Sequence, residues 1–199
     1  MNVSDPASRR LFDAQEYVAS ELIEDDLPEL QTFFAANPEY FLAVNGMPPR
    51  SDEAVQEFED RPPPEMSFDK VYVIGFSDKK RRMVGMASVL SDLFAPNVWH
   101  IGLFIVASSL HGTGVAGLLY EHLERWAKGK GAAWLRLGAV AGNVKAERFW
   151  EKAGYTEVRR REGTQLGRMT HTIRVFVKPL GALGLGEYLR LVARDLPES

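Results

Sequence analysis

The chain has 199 residues, which is enough for one domain with a sizeable core, and its contents of 45% apolar and 26% charged residues are ordinary for a globular protein. The net charge of −3 gives no reason to expect a nucleic-acid partner, and the absence of cysteine excludes disulfides and thiolate metal sites. No apolar stretch approaches the ~20 residues of a membrane span and no apolar signal core opens the chain, so we expect a cytoplasmic protein without a membrane partner.

The first third of the chain predicts one strand and several helices. Residues 1–15 are polar and predict a loose lead-in. Residues 17–22 predict the first strand. Helices are then predicted at 25–34, 39–44 and 51–58. Three consecutive prolines at 62–64 end the last of these helices and form a stiff connector.

The remaining two thirds predict a sheet with interspersed helices. Strands at 70–77 and 83–90 flank the charged residues 78–82, a pattern typical of a hairpin. Later elements are predicted as strand 133–139, helix 144–153, strand 155–162, a turn at Gly163 and strand 169–177. Residues 181–199 have apolar residues at roughly helical spacing, which predicts a C-terminal helix that packs on the domain or on a second subunit.

One stretch in the middle of the chain predicts an anion-binding loop. Residues 98–106 form an apolar run typical of a buried strand, and apolar residues recur at helical spacing in 116–127. Gly112 and Gly114 lie between these two elements. A helix N-terminus presents unpaired backbone N–H groups, and glycines let a bulky anion approach them. The unit therefore predicts a site for phosphate groups.

Two familiar phosphate-binding loops do not account for this stretch. A P-loop needs a lysine and a hydroxyl after its second glycine, and Leu118 and Leu119 occupy those places. Residues 112–117 do spell GxGxxG, the fingerprint of dinucleotide-binding proteins. That fingerprint requires an acidic residue about 20 positions later to hold a ribose, and the next predicted strand, 133–139, contains no carboxylate.

The loop instead resembles the pyrophosphate loop of the GNAT superfamily of acetyl-CoA-dependent N-acetyltransferases. That loop has Gln or Arg, two residues, Gly, one residue, and Gly or Ala. His111, Gly114 and Ala116 stand at these places, and His111 departs from the usual residue types. Residues 143–155 resemble a second family segment, Asn-x-x-Ala-x-x-Phe-Tyr-Glu-x-x-Gly-Phe. The resemblance is specific over 98–155 and elsewhere rests on the order of the elements.

The resemblance implies an α/β fold of the GNAT type. Its central sheet is expected to be mixed, mostly antiparallel and flanked by helices, with a C-terminal helical extension. We expect three parts, namely the lead-in 1–15, an acetyltransferase domain at 16–180 and the extension at 181–199. The implied activity is direct transfer of the acetyl group of acetyl-CoA, used as a cosubstrate, to a small-molecule or peptide amine. A homodimer would give the C-terminal helix a second way to bury its apolar residues.

The resemblance also implies which residues bind acetyl-CoA. They come from the central strand, the loop and the second segment: Phe104, Ile105, Val106, His111, Gly112, Thr113, Gly114, Val115, Ala116, Asn143, Phe149 and Trp150. Asn143 has a structural interpretation as well, as the cap of the helix that follows it. Trp150 stands where family members commonly have a tyrosine that protonates the leaving thiolate, and an indole N–H does not titrate usefully. The four histidines lack the spacing of a metal site, so none is expected.

The catalytic base is a residue for which the sequence leaves two interpretations. Family members often carry a glutamate on the strand before the loop, and the nearest candidate here is His100, which strand alternation places on one face with Gly102, Phe104 and Val106. Histidine, with a usual pKa of about 6.5, suits this work near neutral pH. In the second interpretation, His100 is a polar residue near a strand end that bonds to backbone or water.

Two other classes of function remain open at this point. The missing tyrosine is compatible with a catalytically silent acyl-CoA-binding module, and the GxGxxG match is compatible with a nucleotide-binding oxidoreductase. The missing acidic residue disfavours the oxidoreductase.

Overall fold

The computed structural model of the chain describes residues 9–197. Its strands are β1 (Arg10–Ala14), β2 (Tyr17–Glu21), β3 (Val71–Ser77), β4 (Met83–Leu90), β5 (Val98–Val106), β6 (Trp134–Val140), β7 (Thr156–Leu166) and β8 (Met169–Pro179). Its α-helices are α1 (Leu27–Ala36), α2 (Glu39–Asn45), α3 (Glu53–Glu59), α4 (Val115–Gly129), α5 (Val144–Lys152) and α6 (Leu185–Leu191). Short 3-10 turns occupy Glu24–Asp26, Ser108–Leu110 and Ala193–Asp195.

The strands form one sheet in the order β1-β2-β3-β4-β5-β6-β8-β7. All neighbours run antiparallel except β5 and β6, whose connection through α4 makes them parallel. Their pairing extends only from Val98–Trp134 to Ile101–Leu137. Beyond this point β5 continues to pair with β4 and β6 continues to pair with β8. The two central strands therefore separate, and the sheet opens between residues 102–106 and residues 138–140.

Helices cover both faces of this sheet. On one face α4 and α5 bury Leu119, Leu123 and Trp150 against the larger core cluster. On the other face α1, α2 and α3 pack over β3, β4 and the second half of β5. The C-terminal segment covers the same face over β6, β7 and β8, where the Tyr188 side chain is fully buried. On this face, the opening in the sheet therefore lies between α1–α3 on one side and the C-terminal segment on the other.

The N-terminal prediction was wrong for residues 10–14. The sequence suggested a loose lead-in over 1–15, whereas residues 10–14 form β1 at the sheet edge, paired with β2. Phe12 packs its ring 5.7 Å from the ring of Trp126 on α4, and this apolar contact explains why a mostly polar segment is ordered. The first part of that predicted lead-in, residues 1–8, lies outside the described residues.

The final hairpin also differs from the prediction. Gly163 was expected to form its turn, but β7 runs on to Leu166 and the chain reverses at Gly167 and Arg168. Gly163 has a φ of +68° and lies at a register shift within β7, which marks a β-bulge rather than a strand end. The true turn docks on α2, because the Arg168 N–H donates to the Asn45 carbonyl at 2.9 Å.

The predicted C-terminal helix is present as α6, although it is short. It packs on the domain, where the Trp134 indole N–H donates to the Gly184 carbonyl at 3.2 Å. The 3-10 turn after α6 contributes Asp195, whose side chain is fully buried against the sheet. The last two residues, 198 and 199, lie outside the described part of the chain.

Candidate active site

The loop between β5 and α4 has the geometry of an anion-binding site. Gly112 and Gly114 adopt φ angles of +79° and +90°, which side chains rarely tolerate, and a Cβ atom built on either would meet no atom within 4 Å. Gly114 is the N-cap of α4. Within the described part of the chain, the N–H groups of Gly114, Ala116 and Gly117 have no hydrogen-bond acceptor. The loop therefore offers free donors beside open space.

The polar side chains of this loop hold the loop itself. The Nε2 atom of His111 lies 3.0 Å from the Val106 carbonyl oxygen, so this ring bridges the junction between β5 and the loop. The Thr113 hydroxyl donates to the Leu110 carbonyl at 2.7 Å. Val115 and Ala116 are half-buried in the first turn of α4. Donors for an anion are thus backbone groups rather than side chains.

A β-bulge in β5 changes which residues share a face. The register with β4 pairs Leu90 with His100, Val89 with Ile101 and then Ser88 with Leu103, so Gly102 is the extra residue. Before the bulge Trp99 and Ile101 belong to the core under α4, whereas after it Val106 does and Leu103 joins the opposite core. The prediction that His100 shares a face with Phe104 and Val106 is therefore wrong.

The other predicted acetyl-CoA residues lie along the opening in the sheet or behind it. Ile105 and Val106 are buried in β5, and the ring of Phe104 stacks with that of Phe149 on α5 at 6.0 Å and 17°. Asn143 caps α5, since its side chain accepts from the Ala146 N–H at 3.3 Å. Trp150 is 8% exposed and packs in the core next to Phe104. The structure thus collects Phe104, Val106, Phe149 and Trp150 on the α4–α5 side, whereas Ile105 belongs to the core under α1, α2 and α3.

A cavity of about 350 Å³ opens on the opposite face, at the point where β5 and β6 begin to separate. Its floor includes His100 and Gly102 of β5, Ser88 of β4 and Arg136 of β6. Its walls include Glu57 and Arg61 at the end of α3, Phe94 before β5, Arg161 of β7 and Arg194 of the C-terminal turn. Of this set, only His100 was recognised from the sequence.

His100 is a poor proton acceptor in this cavity. Burial, followed by the neighbouring Arg136 guanidinium, lowers the pKa of the ring to about 3. The Arg136 Nη1 group lies 3.2 Å from His100 Nδ1 and is a donor, so Nδ1 accepts and the proton resides on Nε2. His100 is therefore neutral throughout the physiological range and has little capacity to gain a second proton.

Glu57 is better suited to accept a proton. Burial raises the pKa of its carboxyl to about 7, while a hydrogen bond to Ser88 lowers it and the charge of Asp60 raises it by smaller amounts. A carboxylate with this pKa is partly ionised at neutral pH and can take up a proton that an amine releases. Nothing in the spacing of the α3 sequence distinguishes Glu57 from its neighbours Glu53 and Glu59.

A buried ionic network forms the wall between the cavity and the C-terminal segment. Asp195 is fully buried and accepts from Arg136 Nε at 2.7 Å, Arg161 Nη2 at 2.8 Å and the Tyr188 hydroxyl at 2.5 Å. Burial alone would raise the pKa of Asp195, but the hydrogen bonds and charge of Arg136 hold it below its usual range. Arg136 was the one charged residue in an apolar strand, which is a sequence signal for a buried partner.

A second polar cluster lies behind Trp150. The Tyr120 hydroxyl lies 3.2 Å from the Tyr155 hydroxyl and also donates to the Glu124 carboxylate. Lys178 completes the cluster with an ion pair to Glu124. Burial raises the pKa of both phenols, so they keep their protons across the physiological range.

Comparison with known proteins identifies the family. The sequence model described as "Acetyltransferase (GNAT) family" matches residues 24–155. The chain belongs to this family. The match includes β5, the glycine loop and the segment that carries Asn143 and Trp150, so the resemblance noted in the sequence is confirmed. No curated protein matches the chain by sequence.

Solved structures confirm the fold. The ribosomal-protein-S18-alanine N-acetyltransferase of Escherichia coli is 16% identical with a TM-score of 0.61, over 84% of this chain and 96% of that one. An acetyltransferase from Thermus thermophilus is 22% identical with a TM-score of 0.63, over 85% and 100%. Spermidine N-acetyltransferase from Vibrio cholerae, solved with CoA and spermine, is 13% identical with a TM-score of 0.63, over 83% and 96%.

Two features are absent from residues 9–197. No helix in this range is both long and apolar enough to cross a membrane. No group of three or more histidine, aspartate or glutamate side chains in the same range is arranged to hold a metal ion.

Proposed function

We propose that this protein is an N-acetyltransferase that moves the acetyl group of acetyl-CoA directly to an amine. The observation that carries the proposal is the glycine loop at the start of α4, with free N–H donors beside open space at the wide end of the opening between β5 and β6. Family membership supports the same conclusion.

The residues of the loop suit a diphosphate group. Backbone N–H groups at Gly114, Ala116 and Gly117, together with the positive end of the α4 dipole, would hold it. Asn143, Phe149 and Trp150 line the α5 side, where the resemblance assigns the pantetheine arm. Among the described residues, no strand pairs with residues 102–106 of β5 on the side of β6, which leaves backbone groups there for such an arm.

The cavity on the opposite face would hold the acceptor. In the proposed reaction the amine nitrogen attacks the thioester carbonyl carbon, an N–C bond forms, and the C–S bond breaks with its electron pair leaving on the CoA sulfur. The nitrogen must lose one proton, and Glu57 is the carboxylate in the cavity whose pKa suits that transfer. His100 stays the sequence-based candidate, but its low pKa argues against the role, and we assign it to Glu57.

The leaving thiolate does not need a dedicated acid. A thiol has a pKa of about 8.5 by analogy with cysteine, so its thiolate is a tolerable leaving group near neutral pH. Trp150 would then serve to shape the binding site for the arm rather than to donate a proton.

Binding and turnover measurements test the proposal. Calorimetry with acetyl-CoA, NADH and NADPH should give binding of acetyl-CoA alone, and a thiol-release assay with a panel of amines should give turnover. Binding of a nicotinamide cofactor in place of acetyl-CoA would identify an oxidoreductase. Acetyl-CoA binding without turnover for any amine would identify the silent acyl-CoA-binding module, which is the second candidate because Trp150 replaces the usual tyrosine.

A further inference from the structure

The charges of the acceptor cavity carry information about the acceptor. Four arginines line it, from four separate segments of the chain: Arg61, Arg136, Arg161 and Arg194. The carboxylates that oppose them are Glu57 on α3, Asp60 directly after this helix and the buried Asp195, and His100 is neutral. Because Glu57 is only partly ionised near neutral pH, positive charge is in excess.

The excess charge is concentrated at the outer part of the cavity. Asp195 pairs with Arg136 and Arg161, so the inner two guanidiniums share one carboxylate. Arg61 and Arg194 are exposed and form no ion pair with a carboxylate in the described part of the chain. Arg61 Nη1 donates to the carbonyls of Phe58 and Asp60 at 2.9 and 2.6 Å, which fixes this guanidinium at the end of α3.

An aromatic ring positions the second outer arginine. The guanidinium carbon of Arg194 lies 4.3 Å from the centre of the Phe94 ring, and that of Arg136 lies 5.3 Å from the same ring. Stacking on Phe94 holds the plane of the Arg194 guanidinium without using its N–H donors. The Arg194 donors are thus held in place and have no acceptor within residues 9–197, so they are suited to bind an oxyanion in two-point contact.

We propose that the acceptor is a small amine that also carries an oxyanion, a carboxylate or a phosphonate, and that Arg61 and Arg194 bind this oxyanion while the amine faces Glu57. This inference rests on the proposed acetyl transfer and narrows it to one class of acceptor. The cavity volume of about 350 Å³ accommodates a molecule of amino-acid size. A polyamine is a poor fit, because its second cationic group would lie among arginines.

A matched acceptor panel tests the class. The panel pairs glycine, β-alanine, 4-aminobutyrate and the common α-amino acids with their carboxamides, with diamines of equal length, and with 2-aminoethylphosphonate. The ratio kcat/KM is compared near neutral pH, where the second group of a diamine is cationic, and is corrected for the unprotonated fraction of each reacting amine so that differences in this fraction do not enter. We expect at least one oxyanion-bearing amine to exceed its carboxamide and its diamine partner by about tenfold or more in kcat/KM, since a charge-assisted contact is worth that factor. Comparison of 2-aminoethylphosphonate with β-alanine shows whether the site prefers a phosphonate or a carboxylate.

Variants test the two arginines. In the double variant Arg61→Gln/Arg194→Gln we expect KM for the best oxyanion-bearing acceptor to rise by about tenfold or more, with kcat for its carboxamide and the affinity for acetyl-CoA unchanged. Arg81→Gln, in the exposed β3–β4 turn, removes one arginine from a site distant from the cavity and should change none of these values. A parallel shift in KM for acid and carboxamide would show a structural effect and would overturn the assignment of the arginines.

The outcomes separate this inference from the proposed function. Acetyl-CoA binding with transfer only to carboxamides or diamines, or equal transfer to acids and carboxamides, would overturn the inference and leave the acetyltransferase proposal standing. Failure to bind acetyl-CoA would overturn both. Transfer selective for an oxyanion-bearing amine, lost in the double variant and kept in Arg81→Gln, is the expected result.

Discussion

The two halves of the candidate site bind by different means. The loop at the start of α4 is one continuous stretch, residues 111–117, and its donors are backbone N–H groups that glycines leave accessible. The cavity on the other face has a floor and walls built from α3, the five strands β3 to β7 and the C-terminal turn. A backbone site tolerates many side chains but no bulk at its glycines, whereas a side-chain site depends on charge and protonation at each position. Substitutions should therefore separate the two halves cleanly.

The largest effect is expected from bulk and charge at the loop. Gly114→Glu puts a side chain at a φ of +90° and a carboxylate among the phosphate donors. We expect acetyl-CoA affinity to fall by about a thousandfold or more, a loss of ~4 kcal/mol, as measured by calorimetry. Gly163→Glu is the matched control, because Gly163 has a φ of +68°, equally open surroundings and a place in β7 far from the loop.

The control also defines failure for this prediction. If both variants lose the same affinity, the cause is general destabilisation rather than the loop. If the folded Gly114→Glu variant binds normally, the loop is not the diphosphate site.

These two regions also differ in how far the sequence predicts them. The loop could be found because its glycines, the preceding strand and the following helix are adjacent in the chain. The cavity could not, because Glu57, Arg136 and Arg194 lie far apart in sequence and no periodicity links them. Apart from His100, only Arg136 gave a usable signal, as a charge within an apolar strand that must find a partner.

The prediction that His100 shares a strand face with Phe104 and Val106 was wrong for a different reason. Strand alternation predicts side-chain direction only while the pairing register is constant, and the extra residue Gly102 reverses it in the middle of β5. The same limitation applies to Gly163, where a positive φ produces a bulge rather than a turn. Apart from β1, the element types and their order were predictable from apolar patterns, whereas register depended on long-range pairing.

The next largest effect concerns the proton acceptor in the cavity. Glu57→Gln keeps the shape of the side chain but cannot take a proton, so we expect kcat to fall by roughly 10²–10⁴ with acetyl-CoA affinity unchanged. Because Glu57 acts as carboxylate and its pKa is raised to about 7, the wild-type kcat/KM should rise with pH through about 7, and the variant should lose this rise. Rates across pH 5–9 measure it.

Two companion variants locate the effect. Glu59→Gln alters an exposed carboxyl on the same helix and should leave the profile intact. His100→Asn should reduce kcat by less than about tenfold. A ring with a pKa of about 3 does not accept a proton at neutral pH, so the wild-type ring does not act as the base. A normal rate in Glu57→Gln with a collapse in His100→Asn would return the role of base to His100.

A smaller effect, on stability rather than on rate, is expected at the wall of the cavity. Asp195→Asn leaves Arg136 and Arg161 without their shared buried carboxylate, and we expect a loss of about 3 kcal/mol in the free energy of unfolding. The folded-state pKa of Asp195 is lowered, so its contribution is present above the usual aspartate range and disappears as pH falls through the folded pKa. Urea unfolding at pH 7 and pH 3 should show a difference between wild type and variant that is smaller at pH 3 than at pH 7.

A control variant distinguishes the buried ionic network at Asp195 from an ordinary surface ion pair. Asp13→Asn, which removes an exposed ion pair with Arg10, should cost less than about 1 kcal/mol. An equal loss in the two variants would mean that burial of the network contributes nothing.

The smallest effect is expected on the α5 side, where Trp150 replaces a phenol. Tyr120 and Tyr155 lie beside Trp150, with ring centres 5.4 Å from it, and are the nearest substitutes for a proton donor to the thiolate. Both are buried and hydrogen-bonded to each other, and burial raises the pKa of both phenols, which makes each a weaker acid than free tyrosine. We therefore expect kcat to stay level up to pH 10 and to change by less than about threefold in Tyr120→Phe and Tyr155→Phe.

A phenol with a raised pKa would keep its proton at pH 10, so a level kcat does not by itself show whether a tyrosine is the acid. The rates of the two variants decide this question. Tyr72→Phe, which alters a half-buried phenol whose ring stacks on Trp99, gives the background change. A tenfold or greater fall in kcat in Tyr120→Phe or Tyr155→Phe, at unchanged acetyl-CoA affinity and beyond that background, would place the missing acid in this cluster.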